Sequence, residues 1–205
     1  MGYMARITSW RAAWDARGMV SRWFRWLDIA ALAGTCLCLL VAFVFQLTLG
    51  DLPCAFCNLQ RLGFLIFGAG LFLNMRYGTS PWNYALSAAG ALVGSLIGLL
   101  QMFVHALPGT PPTGTALLGL HMYFWTYLVL TGAVFYTICA LVCFAACPGD
   151  RTPRRSTGTA IVSAVFILLV GANLVSTFLE NGFHPFKAGG QKHYAMLYDG
   201  DVMKP

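Results

Sequence analysis

The stretch "GDLPCAFCNLQRLGF", residues 50–64, sets two cysteines three apart between two long apolar runs, with an arginine four residues after the second. Working outward, apolar character continues on both sides. Of the 205 residues, 58% are hydrophobic and 10% are charged, against roughly 25% charged in a soluble domain. A mean hydropathy of +0.68 is more apolar than one globular core can hide, so the natural solvent is lipid. Five runs, about 28–49, 61–76, 83–104, 117–147 and 159–179, come near the roughly 17–25 residues a bilayer span needs. The second is the shortest. The fourth is too long for one straight span, so part of it is expected outside the hydrocarbon. Pro53, Pro81, Pro108, Pro148 and Pro153 fall between the runs, where proline does least harm. The expectation is an all-α integral membrane protein, a four-helix transmembrane bundle plus a fifth transmembrane helix. It divides into a basic and aromatic interfacial arm (1–27), a transmembrane helical bundle (28–180) with the cysteine loop at 50–61, and a tail (181–205).

The net charge of +6 marks topology better than nucleic acid, because no basic stripe carries exposed aromatics. Arg6, Arg11, Arg17, Arg22, Arg25, Arg76, Arg151, Arg154 and Arg155 share one side of a five-span chain; Arg61, Lys187, Lys192 and Lys204 share the other. The positive-inside rule makes the first side cytoplasmic, with the N-terminus inside and the cysteine loop and C-terminal tail outside. The run after the arm is too long for a signal peptide, so the first span is expected to be uncleaved. Trp10, Trp14 and Trp23 among the arginines suit an interfacial helix.

Seven cysteines are present. Cys36 and Cys38 lie in the first span. Cys139, Cys143 and Cys147 recur every four residues along one face of the fourth, where small apolar packing is the ordinary role. Only Cys54 and Cys57 face outward. A zinc site wants four ligands, and His105, His121, His184 and His193 stand at no ligand spacing, so no metal site is expected. A structural staple closing so short a loop adds little stability, whereas a redox pair suits a helix start with Arg61 one turn beyond Cys57 to favour a thiolate. With no GxGxxG opening a strand–helix unit to bind a nucleotide cofactor, a lipid-soluble quinone is the natural electron acceptor. Arg61, Gln101, His105 and His121 are the polar side chains placed to anchor it, with Gln101 and His105 four apart on one face. Asp51 marks the loop start or pairs with Arg61.

"LPCAFCNLQR" (52–61) resembles the P-C-x-x-C-x-x-x-R loop of the bacterial disulfide bond formation protein B (DsbB) family, quinone reductases that re-oxidise the periplasmic thiol oxidase DsbA. "LQMFVHALPG" (100–109) and "LGLHMYFW" (118–125) are similar to that family too, over about residues 28–185 in all. The resemblance implies an inner-membrane enzyme using ubiquinone or menaquinone. It assigns Cys57 to the quinone, Cys54 to exchange with a DsbA-like thioredoxin-fold protein or another exported thiol substrate, and Arg61 and His105 to positions near the ring. One departure is plain. The family takes electrons through a second outward cysteine pair, and residues 105–117 and 181–205 hold no cysteine; "FLENGFHPF" (178–186) has Asn181 and Phe186 where cysteines would stand in five-helix relatives. A partner protein supplying the missing dithiol, a flexible substrate, or loss of general oxidase activity would each account for that. The aromatics Phe183, Phe186 and Tyr194 are candidates for docking a partner. Three rivals remain: a non-catalytic subunit with a structural loop disulfide, a thiol–quinone enzyme of the vitamin K epoxide reductase type, and a haem carrier using His105 and His121.

Overall fold

The computed structural model describes residues 2–50, 52–109, 116–146, 156–182 and 194–198, with side chains from residue 23 onward and, in the last segment, at 194–196. Five long helices dominate: α1 (Gly2–Thr48), α2 (Ala55–Tyr77), α3 (Pro81–Ala106), α4 (Met122–Ala146) and α5 (Thr157–Asn181), followed by a single turn, α6 (Ala195–Tyr198). All five are long and apolar enough to cross a membrane, α1 through its Trp23–Thr48 part. The arm expected to lie at the interface is continuous in helix with that span.

The distribution of polarity fits lipid. Leu37, Leu40, Val44, Leu92, Leu96, Phe135, Ile138, Leu168 and Leu174 point outward, while Asp28, Gln46, Asn58, Gln60, Gln101 and Glu180 are buried. Lipid gives apolar side chains no reason to turn inward, so close contact and polar pairing hold such helices together. Gly90, Gly94 and Gly98 recur every four residues on α3. A Cβ placed on Gly63 of α2 would lie 2.7 Å from the Gly94 Cα, so the two backbones touch there and nothing larger than glycine fits. Gly98 meets Tyr127 of α4 in the same way, with a placed Cβ 3.2 Å from the tyrosine Cβ. The α3 stripe therefore sets the spacing of α2, α3 and α4, while α5 packs against α1 and α2.

One expectation needs correction. The second span is not short: α2 has 23 residues and starts at Ala55, so Cys57 belongs to its first turn and not to a loop running to residue 61. Asn58, Gln60 and Arg61 had made this segment look like a connection. The fourth apolar run does leave the membrane-length helix at its start. Ala116–Leu117 pairs with Leu120–His121 as a two-residue hairpin whose turn residues, Leu118 and Gly119, both have positive φ. That is the turn that suits strand twist, and Trp125 Nε1 donates to the Leu117 carbonyl at 3.0 Å to hold the hairpin on α4. At the start of α5, Ser156 and Thr159 cap each other's backbone.

Candidate thiol redox site at one end of the bundle

The site grows from the start of α2. Cys54 is the N-cap, with extended backbone, and its Sγ accepts the Cys57 N–H at 3.3 Å. The first-turn N–H groups of a helix lack intrahelical partners and favour an anion. The sulfur that receives this help is thus Cys54, not Cys57 as the spacing alone suggested. Its thiol is pulled well below the usual range, to about 6, chiefly by the hydrogen bond from the Cys57 thiol, with burial opposing and the Cys57 and Phe56 N–H groups and His105 assisting. The two Sγ atoms lie 2.7 Å apart. Both side chains are half-buried.

Across from the pair, α3 contributes Gln101, which is fully buried. Gln60 Nε2 donates to Gln101 Oε1 at 2.7 Å, which turns the Gln101 amide nitrogen toward the sulfurs, 3.7 Å from Cys54 and 3.9 Å from Cys57. One turn along, His105 Nδ1 sits 2.8 Å from the Gln101 carbonyl, and its ring stacks on Tyr123 at 5.1 Å. His121 stacks on the same tyrosine at 5.4 Å. The structure therefore brings together Cys54, Cys57, Gln101 and His105, and joins His121 to the group through Tyr123.

Arg61 points elsewhere. Its guanidinium donates to Gln46 Oε1 at 2.8 Å and to the Ala42 carbonyl at 3.2 Å, over the Phe43 ring at 5.1 Å, all on α1. Behind it lies a buried network that the sequence reading missed. Gln46 Nε2 faces Ser176 Oγ at 2.8 Å, Glu180 Oε1 at 2.7 Å and Tyr194 Oη at 2.8 Å, so its two hydrogens are shared among three oxygens. Glu180 Oε1 also accepts from Ser176 at 3.0 Å, and Oε2 accepts from Asn58 Nδ2 at 3.1 Å. Asn58 Oδ1 is buried with no partner among the described residues. The signal was available: Glu180 is the only glutamate in the chain and closes an apolar run, and Gln46 interrupts another.

Other expected residues are less involved. Cys36 packs in the core and Cys139 faces outward. Asp51, Cys147, Phe183, His184, Phe186 and His193 lie outside the described residues, as do the side chains of the arm before residue 23. Of the tail aromatics, Tyr194 is described, and it reaches Gln46. Among the described residues no cluster of His, Cys, Asp or Glu could hold a metal.

The family model described as "Disulfide bond formation protein DsbB" matches residues 24–116. The match ends before α4 and α5, short of the position near 185 to which the sequence reading carried it. No curated protein and no solved structure matches the chain. The matched segment carries the cysteine pair, Arg61, Gln60, Gln101 and His105 in one continuous stretch, and over that stretch this multi-pass chain is similar to the DsbB family of disulfide bond formation proteins.

Proposed function

We propose that the protein is a thiol:quinone oxidoreductase that makes disulfides in exported thiol partners and discharges the electrons from Cys54–Cys57 into a membrane quinone. The observation that carries this reading is the pair itself: two sulfurs 2.7 Å apart at the cap of a membrane-length helix, faced by the amide of a fully buried glutamine. The donors suit a quinone. The Gln101 amide is fixed by Gln60 and meets two sulfurs at distances where hydrogen bonding is weak, so it retains capacity for a ring oxygen. His105 is one turn away on the same face, with His121 beyond Tyr123. Arg61 supplies positive charge to this end of the bundle from the α1 side.

In the proposed cycle a substrate thiolate attacks Cys54 Sγ of the oxidised pair, forming an intermolecular disulfide and releasing Cys57. The substrate's second thiolate then attacks its own sulfur in that bond, and Cys54 leaves as a thiolate held by the Cys57 N–H. A low thiol pKa makes Cys54 the better leaving group in this step. A bound quinone supplies the acceptor for the two electrons and two protons released when the reduced pair closes again. With no further outward cysteine in 105–117 or 181–205, electrons enter at Cys54 directly from a thioredoxin-fold or other exported dithiol. The charge bias of the loops supports a periplasmic position for this end, at the inner membrane.

The test is quinone reduction by purified full-length protein supplied with a reduced dithiol and a short-chain ubiquinone or menaquinone. Wild type turns over, and Cys54→Ser and Cys57→Ser do not; turnover at the wild-type rate by either variant overturns the assignment. Orientation is read separately by a membrane-impermeant maleimide on intact, reductant-treated spheroplasts, which labels Cys54. Labelling only after the membrane is broken overturns the periplasmic placement.

A further inference from the structure

Helix α5 lies outside the family-matched segment, yet among the described residues it delivers the one carboxylate at the cysteine end. Glu180 is fully buried. Its described partners, Gln46, Ser176 and Asn58, reach it through groups that can donate, which suits an ionised, acceptor-only carboxylate. Arg61, the only described cation buried at that end apart from histidine, is attached to the same amide from the other side: Arg61 donates to Gln46 Oε1, and Gln46 donates to Glu180 Oε1. A buried charge without a counter-charge is expensive in lipid, and a single bridging amide carries the compensation here. Asn58, which donates to the other carboxylate oxygen, follows Cys57 directly in the chain, so the network closes back on the site.

We propose that Glu180 is the counter-charge of Arg61, a positioning residue acting through Gln46 that holds the guanidinium at the cysteine end and tempers the positive field on the Cys54–Cys57 thiols. This deepens the redox reading of the pair and rests on it. Among the described residues, the charged and titratable groups at this end are His105 on α3 and Arg61 on α2, with Glu180 on α5 and Tyr194 beside α6 acting on Arg61, and His121 and Tyr123 beyond His105. Removing the glutamate charge leaves the guanidinium uncompensated, so a thiolate forms more readily. Removing the guanidinium has the opposite effect.

The experiment is a double-mutant cycle on the full-length reduced protein in detergent, reading the pH dependence of iodoacetamide alkylation and the thermal midpoint. Glu180→Gln keeps an acceptor for Gln46 and loses the charge; it is expected to move the thiol titration down by about one pH unit. Arg61→Gln moves it up. Both single variants lose thermal stability, and the double variant recovers both the titration and the midpoint toward wild type, because neither charge is then stranded. A residue that merely packs the helices would give additive losses and an unmoved titration, and that result overturns the proposal. If a single variant does not fold, a double variant that folds supports the pairing and one that does not fold contradicts it. Quinone turnover is not read here, so failure of this cycle leaves the cysteine-variant test of the oxidoreductase reading standing on its own.

Discussion

Both ends of the bundle bury a carboxylate, and they use it differently. At one end Asp28 of α1 accepts from Tyr84 Oη of α3 at 2.9 Å and from Tyr136 Oη of α4. The aspartate is 2% exposed and Tyr84 1%, and among the described contacts of this clasp there is no sulfur. At the other end Glu180 is tied by amides to α1 and α2, two hydrogen bonds from a guanidinium through Gln46, and its donor Asn58 follows Cys57 in the chain. The first arrangement joins three helices and does nothing else visible. The second joins three helices and sets charge around a reactive pair. A buried polar residue in a membrane span is thus not evidence of chemistry by itself; what separates the two ends is a cation two hydrogen bonds from the acid and a cysteine next in the chain to one of the acid's donors.

The difference can be broken from either end. Asp28→Ala strands two tyrosine hydroxyls, one of them fully buried, and is expected to cost about 3 kcal/mol of stability. Thermal unfolding in detergent reads that loss, while quinone reduction per folded molecule stays at the wild-type level. A large loss of turnover in the folded variant would merge the two ends into one functional unit. Gln101→Leu is the mirror case. It removes the donor facing the sulfurs and should lower turnover by roughly 100-fold, the lower end of what loss of one positioned donor costs elsewhere, with the thermal midpoint changed far less than by Asp28→Ala.

A smaller effect sharpens the cysteine end alone. Alkylation of Cys54 in reduced protein should titrate near pH 6, well below an ordinary thiol near 8.5. The sign for stability follows from a folded-state value that is depressed: the contribution is fully present above about pH 8.5 and is lost as pH falls through about 6. The reduced protein should therefore unfold more easily at pH 5 than at pH 8.5 by more than the disulfide form does, and an equal pH dependence of the two forms would remove Cys54 as the cause. The smallest expected change is Cys139→Ser. Its outward position predicts a shift within about 0.5 kcal/mol and unchanged turnover.

The five spans were legible because hydropathy depends on composition alone. The boundary at α2 was not. Asn58, Gln60 and Arg61 lower the local hydropathy and make residues 50–61 read as a loop, yet Asn58 and Gln60 are buried and face neighbouring helices, so the helix runs through them. The pair of cysteines was legible from its spacing, and Gln101 and His105 from their shared face. The direction of Arg61 and the roles of Gln46 and Glu180 were not, since the first depends on how α2 packs on α1 and the Gln46–Glu180 contact joins positions 134 residues apart that only packing of α5 on α1 and α2 brings together. Glycine spacing on α3 was visible in the sequence and was passed over, although it sets how closely α2 and α3 approach.

The most direct measurement of the central claim is stoichiometric. Fully reduced protein is mixed under argon with excess quinone, and quinol and free thiols are counted together. The account predicts one quinol formed for each Cys54–Cys57 pair that closes, and none in Cys57→Ser. Quinol formation by Cys57→Ser, or closure of the pair with no quinol produced, would contradict it.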